Sequence, residues 1–151
     1  LHRQLRGRFR SVANDDVEFG GAHIQSLADI ERVVADVARD SGGGLITPGD
    51  PYVLTTRGAI LGAARQHGLP LISPYRQFVV EGSLMSYGPD TADIFRRSSS
   101  YVDRILKGEP VGNLPAQSPD KFELAINLKA AKALGLPVRQ TFLFLADEVI
   151  E

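Results

Sequence analysis

Short apolar runs alternate with helical patterns through the middle of the chain, and this alternation limits the possible folds more than any other feature. The runs LIT, LPLIS and LMSY begin at residues 45, 69 and 84, and each is followed by turn residues and then by a helical pattern. Strands that alternate with helices form parallel sheets, because a crossover must carry the chain back to the starting edge. The pattern therefore predicts an α/β fold, an open parallel sheet with helices on both faces.

Capping and stop signals bound each predicted helix. Helices are expected from Ser26 to the glycines at 42–44, from Tyr52 to His67, within PYRQFVVEG, and from Asp90 to Lys107. Ser26 with Asp29 three residues later matches a capping box, and Gly68 and Gly108 are placed to stop helices. Residues 25–109 are thus predicted to form an α/β ligand-binding lobe, preceded by a poorly defined segment, 1–24.

Residues 110–151 follow a different pattern. A loop with Pro110, Pro115 and Pro119 leads into KFELAINLKAAKALGLP, which predicts a short strand and a short helix, and TFLFLADEVIE is expected to form a final turn. A proline-containing loop of this length is typical of a connection that travels some distance. We therefore expect 110–151 to be a crossover and C-terminal segment.

Composition limits the class of partner. The 151 residues suit one domain, and 17 lysines and arginines against 18 aspartates and glutamates give no reason to expect nucleic acid or an anionic membrane as partner. There is no cysteine, and no apolar run approaches the roughly 20 residues of a membrane span. LHRQLRGRFR lacks the apolar core of a signal peptide, so the expectation is a cytoplasmic protein or a chain that has lost its export signal.

The carboxyl ends of the three predicted strands form a candidate ligand-binding edge. Asp50, Tyr75, Tyr87 and Asp90 follow or end these strands. Since parallel strands end at the same edge, all four residues are expected there. Two carboxylates favour a cationic group such as an ammonium, and two tyrosines offer apolar rings with polar tips. The predicted ligand is a small amphiphilic molecule.

The same four residues also have purely structural explanations. Asp50, which precedes Pro51, and Asp90 are both good helix N-caps, and capping alone would account for them. Either Tyr75 or Tyr87 could be a surface or core aromatic residue. Both interpretations stay open at the level of sequence.

Catalytic and metal-binding patterns are missing from the sequence. His2, His23 and His67 have no partner at metal-ligand spacing. The glycines at 42–44 precede their strand and cannot cradle a phosphate, and Ser83 lacks the second glycine of a nucleophile elbow. We therefore expect a binding protein with no catalytic residue, metal ion or cofactor.

Several long segments resemble a known family. GGGLITPGDPY, RQHGLPLISPYRQFVVEGSLMSYGPDTAD, SSSYVDRILKGEPVGNLPAQSPDKFELAINLKAAKALGLP and ADEVIE are similar to the C-terminal part of ABC-transporter substrate-binding proteins of the type I periplasmic-binding-protein fold, the group with tryptophan-binding-like members. The resemblance covers Ala28 to Glu151, whereas residues 1–24 match poorly.

The resemblance implies one lobe of a two-lobed solute binder. Asp50 and Asp90 match positions where related amino-acid binders carry acidic residues that face the ligand's amino group, and Tyr75 and Tyr87 fall where aromatic residues vary with the ligand. It implies a small-molecule ligand, an ABC permease as partner and a periplasmic or extracytoplasmic location. Residues 110–151 would pack on an N-terminal lobe that this chain lacks, so the isolated lobe is expected to self-associate.

Two alternative functions remain at this level. The first is a ligand-sensing domain of the same fold in a regulator or receptor. The second is a small flavodoxin-like enzyme, although no nucleophile, base or metal set supports it. Binding of an amino acid or a related amine-bearing solute is the leading prediction.

Overall fold

The computed structural model describes the backbone of residues 6–9, 17–39 and 42–151. Its strands are β1 Arg6–Phe9, β2 Val17–Gly20, β3 Leu45–Ile46, β4 Leu71–Ser73, β5 Met85–Pro89, β6 Phe122–Asn127 and β7 Glu148–Ile150. Its α-helices are α1 Leu27–Val37, α2 Pro51–Thr55, α3 Arg57–Gln66, α4 Arg76–Val80, α5 Thr91–Leu106, α6 Leu128–Ala133 and α7 Gln140–Leu145. Within the predicted N-terminal segment 1–24, residues 1–5 and 10–16 lie outside the described residues, and β1 and β2 form an antiparallel pair.

The main sheet has five strands in the order β3-β4-β5-β6-β7. Its strands are parallel except at β5 and β6, which run antiparallel with Pro89 opposite Phe122. The sheet changes direction there because α5 and the proline-containing loop return the chain to the edge at which β5 ends. The predicted α/β class is confirmed, with a mostly parallel sheet.

The helix predictions hold with two differences. Helix α1 ends at Val37, before the glycines at 42–44 that were expected to stop it. Ser26 and Asp29 form the expected capping box at α1. The single helix predicted from Tyr52 to His67 is divided at Thr56, whose hydroxyl donates to the Tyr52 carbonyl at 2.7 Å. A threonine that bonds back to the preceding turn competes with regular helix geometry.

The apolar core is formed by residues of the helices α1, α2, α3 and α4 and of the strand β4. Its most buried side chains are Phe78, Ile30, Leu71 and Val79. Phe78 lies on the short helix α4, which packs against β4, β5 and β6. The core therefore supports the edge of the sheet where the candidate residues were predicted.

Residues 110–151 contribute to the same sheet through β6 and β7. The predicted strand and helix of KFELAINLKAAKALGLP are present as β6 and α6, while the predicted final turn contains α7 and the three-residue strand β7. A strand this short leaves no readable alternation in the sequence. That residues 110–151 also pack on another lobe stays a prediction.

Helix α5 differs from the other long helices because none of its residues is buried. Phe95, Val102 and Leu106 lie along one stripe of the helix and are all exposed. Asp90 caps its first turn and Gly108, with φ of +93°, follows its last, as predicted. An apolar stripe is therefore left open to solvent on one side of the chain.

Candidate functional site

A cavity of about 500 Å³ opens at the edge of the sheet where β4 and β5 end and β6 and β7 begin. Its walls come from residues 74–77, 86, 88–92, 123–125 and 147–148. The strand directions explain its position, since an antiparallel β6 starts at the edge at which β5 stops. The cavity thus lies where ligands bind in open α/β sheets.

Asp90 is the most buried charged group of the cavity wall. Its side chain is 9% exposed and forms an ion pair with Lys121, with Nζ 2.7 Å from Oδ2. Its second oxygen, Oδ1, accepts the Asp93 backbone N–H at 2.9 Å and so caps α5. The Lys121 ammonium, and secondly the Asp93 N–H, hold the pKa of Asp90 below its ordinary value.

Tyr75 lines the same cavity from the end of β4. Its half-buried ring packs on Phe78, with the ring centroids 6.5 Å apart and the planes inclined by 23°. The Tyr75 backbone N–H also lies 3.3 Å from the buried hydroxyl of Ser73. These contacts hold the tyrosine on the core while its surface faces the cavity.

Asp50 and Tyr87 do not line this cavity. Asp50 is exposed at the end of β3 and caps α2 by accepting the Tyr52 backbone N–H at 2.7 Å. Tyr87 points to the other side of β5, because successive strand residues face opposite ways, and its ring stacks on Phe122 at 5.6 Å. The structure therefore brings Tyr75 and Asp90 together and leaves the other two apart. The ligand-binding role of all four residues stays a prediction.

Ser86 is a cavity residue that the sequence patterns did not single out. Its side chain is buried in β5 and faces the cavity. Among the described residues, the protein provides no hydrogen-bond partner for its hydroxyl. The fully buried side-chain polar atom without a partner in the described residues is Ser83 Oγ, whereas the Ser86 hydroxyl keeps some contact with the cavity, where a ligand can reach it.

Gly88 allows the floor of the cavity to form. A Cβ built at this position would lie 2.0 Å from the carbonyl oxygen of Pro74. No side chain fits there, so the backbone after β4 can approach β5 closely only because residue 88 is glycine. This contact sets the spacing between the segments that carry Tyr75 and Asp90.

Arg76 and Glu148 form a second ion pair in the wall. The guanidinium donates through Nε at 2.6 Å and through Nη2 at 2.5 Å to the two oxygens of Glu148. The carboxylate raises the pKa of Arg76 above its already high ordinary value. The pair connects α4 to β7, an association that sequence reasoning missed because it did not predict β7.

The cavity wall carries an excess of negative charge. Asp90, Glu123, Asp147 and Glu148 line it together with Arg76, and Lys121 lies next to Asp90. Glu123 and Asp147 have no ion-pair partner among the described residues, although Asp147 accepts the Leu124 backbone N–H at 2.8 Å. Such an excess of carboxylates favours a cationic or amine-bearing ligand.

Two negative findings apply to the described part of the chain. It holds no group of three or more histidine, cysteine, aspartate or glutamate residues arranged to bind a metal ion. None of the helices described there has the length and apolar character needed to cross a membrane.

Comparisons with known proteins reveal the family. A family model described as ABC transporter substrate binding protein matches residues 5–150. A tyrosine-binding protein of Clostridioides difficile (strain R20291) is 25% identical over 92 residues, which cover 61% of this chain and 27% of that protein.

Solved structures have the same fold. A conserved domain protein from Vibrio cholerae O1 biovar El Tor is 26% identical with a TM-score of 0.73, over 82% of this chain and 41% of that one. An ABC domain from Streptococcus pneumoniae in complex with L-Trp is 21% identical with a TM-score of 0.75, over 84% of this chain and 43% of that one. The chain thus spans less than half the length of each of these relatives.

The family match confirms the resemblance and extends it. The resemblance seen in the sequence started at Ala28, whereas the matched region starts at residue 5 and includes most of the segment 1–24. The α/β architecture and the solved structures agree with this match. The chain belongs to the family of ABC transporter substrate-binding proteins.

Proposed function

We propose that this chain is the ligand-binding part of a substrate-binding protein that serves an ABC uptake transporter. Its ligand is a small organic solute with an amino group, such as an amino acid. The observation that carries the proposal is the carboxylate-rich cavity at the strand ends, where Asp90 is buried and ionised. Lys121 already pairs with Asp90, but Glu123 and Asp147 have no ion-pair partner among the described residues, so the wall keeps a net negative charge that an ammonium group complements.

The other walls of the cavity suit the rest of an amino acid. Tyr75 offers an aromatic surface, and the unpaired Ser86 hydroxyl can donate to a carboxylate oxygen. One relative is named a tyrosine-binding protein, and one solved relative holds L-Trp. Those names support an aromatic amino acid as the first candidate ligand for this chain.

Ligand capture by closure of two lobes is part of the proposal. The relatives are more than twice as long as the matched region, which leaves room for a second lobe in the complete protein. The exposed stripe of α5 and the segment 110–151 are the surfaces on which that lobe would pack. The ligand stabilises the closed state because it contacts both lobes only there. Asp50 and Tyr87, at the same edge of the sheet, would be further contacts in the closed state.

The remaining features follow from the role in transport. The closed, loaded protein would deliver its ligand to a membrane permease on the outer side of the membrane. No covalent bond is made or broken in this cycle, so the protein is not an enzyme. In isolation the chain would self-associate through the apolar stripe of α5.

A thermal-shift screen tests the proposal. L-tyrosine, L-tryptophan and 3-(4-hydroxyphenyl)propanoate, which lacks the amino group, are added to this chain and to any longer polypeptide that contains it. A ligand at a hundredfold excess over its Kd adds about 2.7 kcal/mol of stability, which raises the Tm by several degrees. The amino acids are expected to give that shift and the propanoate is not. Equal shifts with all three compounds, or no shift with either amino acid, would contradict the proposal.

A further inference from the structure

Lys121 and Asp90 are joined by both backbone and side chain. The Asp90 backbone N–H donates to the Lys121 carbonyl at 3.0 Å, and the Lys121 ammonium donates to Asp90 Oδ2 at 2.7 Å. Since Asp93 occupies Oδ1, both carboxylate oxygens have partners before any ligand arrives. A ligand's amino group must therefore compete for Asp90 with a cation of the protein itself.

The two partners differ sharply in exposure. The Asp90 side chain is 9% exposed, whereas the Lys121 side chain is 59% exposed. A lysine ammonium on a flexible stem can move into water at little cost, but a buried carboxylate cannot be left without a partner. Lys121 is thus the member of the pair that can leave when another ammonium takes its place.

We propose that Lys121 is a specificity-determining residue that occupies the amino-group position at Asp90 while the cavity is empty. An amine-bearing ligand displaces it, because the two ammonium groups are chemically equivalent and compete for Oδ2. A ligand without an amino group leaves the pair intact and finds Asp90 already neutralised. Lys121 therefore lowers the affinity for amines while it keeps the empty cavity stable. This inference rests on the proposed function.

The exchange is tested with Lys121→Met, which keeps the length of the stem and removes the charge. Lys107→Met is the matched control, since Lys107 forms an ion pair of similar length, 2.8 Å, with Asp103 on α5, away from the cavity. Affinities for L-tyrosine, L-tryptophan and 3-(4-hydroxyphenyl)propanoate are measured by titration calorimetry. Lys121→Arg keeps the competing charge and should behave as the wild type.

Lys121→Met removes the competing ammonium group and should tighten the binding of both amino acids about fivefold. The expected gain is modest because a partly exposed ion pair contributes little free energy. Lys107→Met should bind both amino acids with the affinity of the wild type. The affinity for the propanoate should not increase in Lys121→Met. If the wild type binds an amino acid and Lys121→Met binds it equally or more weakly, Lys121 does not compete and the inference fails alone. If neither protein binds any of the amines, the proposed function fails and the inference fails with it.

Discussion

Helices α1 and α5 carry the same kind of amphipathic pattern and have opposite environments. In α1, Ile30 and Val34 are buried and the helix packs on α3, whereas the longer α5 has no fully buried residue. An amphipathic pattern therefore specifies a helix and its apolar face, but not the partner that covers that face. The partner of α1 lies within this chain, whereas no described part of the chain covers the exposed stripe of α5.

The largest expected effect comes from the same substitution in the two helices. Ile30→Ala in α1 removes a fully buried side chain and should lower the free energy of unfolding by about 2–5 kcal/mol. Ile105→Ala in α5 removes a side chain that is already exposed and should change it by less than about 1 kcal/mol. Urea denaturation of both variants measures the difference. Equal losses would mean that α5 packs on a core in this chain.

A second pair of variants compares the cavity floor with the surface of a helix. Gly88→Ala forces a methyl group against the Pro74 carbonyl and should destabilise the chain by about 2 kcal/mol or more. Gly62→Ala, in α3 with open space around it, should stabilise by about 0.5–1 kcal/mol. Thermal unfolding distinguishes them by sign. A neutral Gly88→Ala would show that β4 and β5 do not approach as closely as described.

Charge placed on the exposed stripe of α5 should alter association rather than stability. Phe95→Lys with Leu106→Lys puts two positive charges on a surface that would otherwise stay apolar. Light scattering at micromolar concentration is expected to show a self-associated wild type and a monomeric double variant. Leu27→Lys, at an exposed leucine of α1, is the control and should leave the mass unchanged. A wild type that is already monomeric would contradict this prediction.

The sequence predicted the sheet class, the main helices and two residues that line the cavity, because these features depend on local patterns. Ser26 with Asp29, and Gly68 and Gly108, indicated helix ends that the structure bears out. Ser86 and Glu148 were missed because their positions depend on long-range pairing of β5, β6 and β7. Tyr87 falls outside the cavity since alternation along β5 turns it away from Ser86, a register that only the paired sheet fixes.

The smallest effects concern the pKa values of the carboxyl groups at the N-termini of the two helices, Asp29 in α1 and Asp90 at the N-cap of α5. The Arg32 side chain, then the Ser26 hydroxyl, lowers the pKa of Asp29 to about 2, and Lys121 lowers that of Asp90. Folding favours the ionised form of both carboxyl groups. Each ionised group therefore stabilises the folded protein at pH values above its ordinary pKa, and this stabilisation is lost as the pH falls through the pKa of the folded state. For Asp29 that window runs from about pH 4 to about pH 2. Carboxyl NMR should show that Lys121→Met raises the pKa of Asp90 and leaves Asp29 unchanged; a shift at Asp29 would contradict the assignment.

The most direct test of the account is Asp90→Asn, because asparagine still caps α5 but cannot hold an ammonium group as a charge partner. Binding of L-tyrosine and L-tryptophan is measured by calorimetry beside the Tm of the same protein, with Asp103→Asn on α5 as the control for a lost carboxylate. The account predicts that Asp90→Asn weakens amino-acid binding at least tenfold with little change in Tm. Unchanged affinity with a lowered Tm would show that Asp90 serves only as a helix cap.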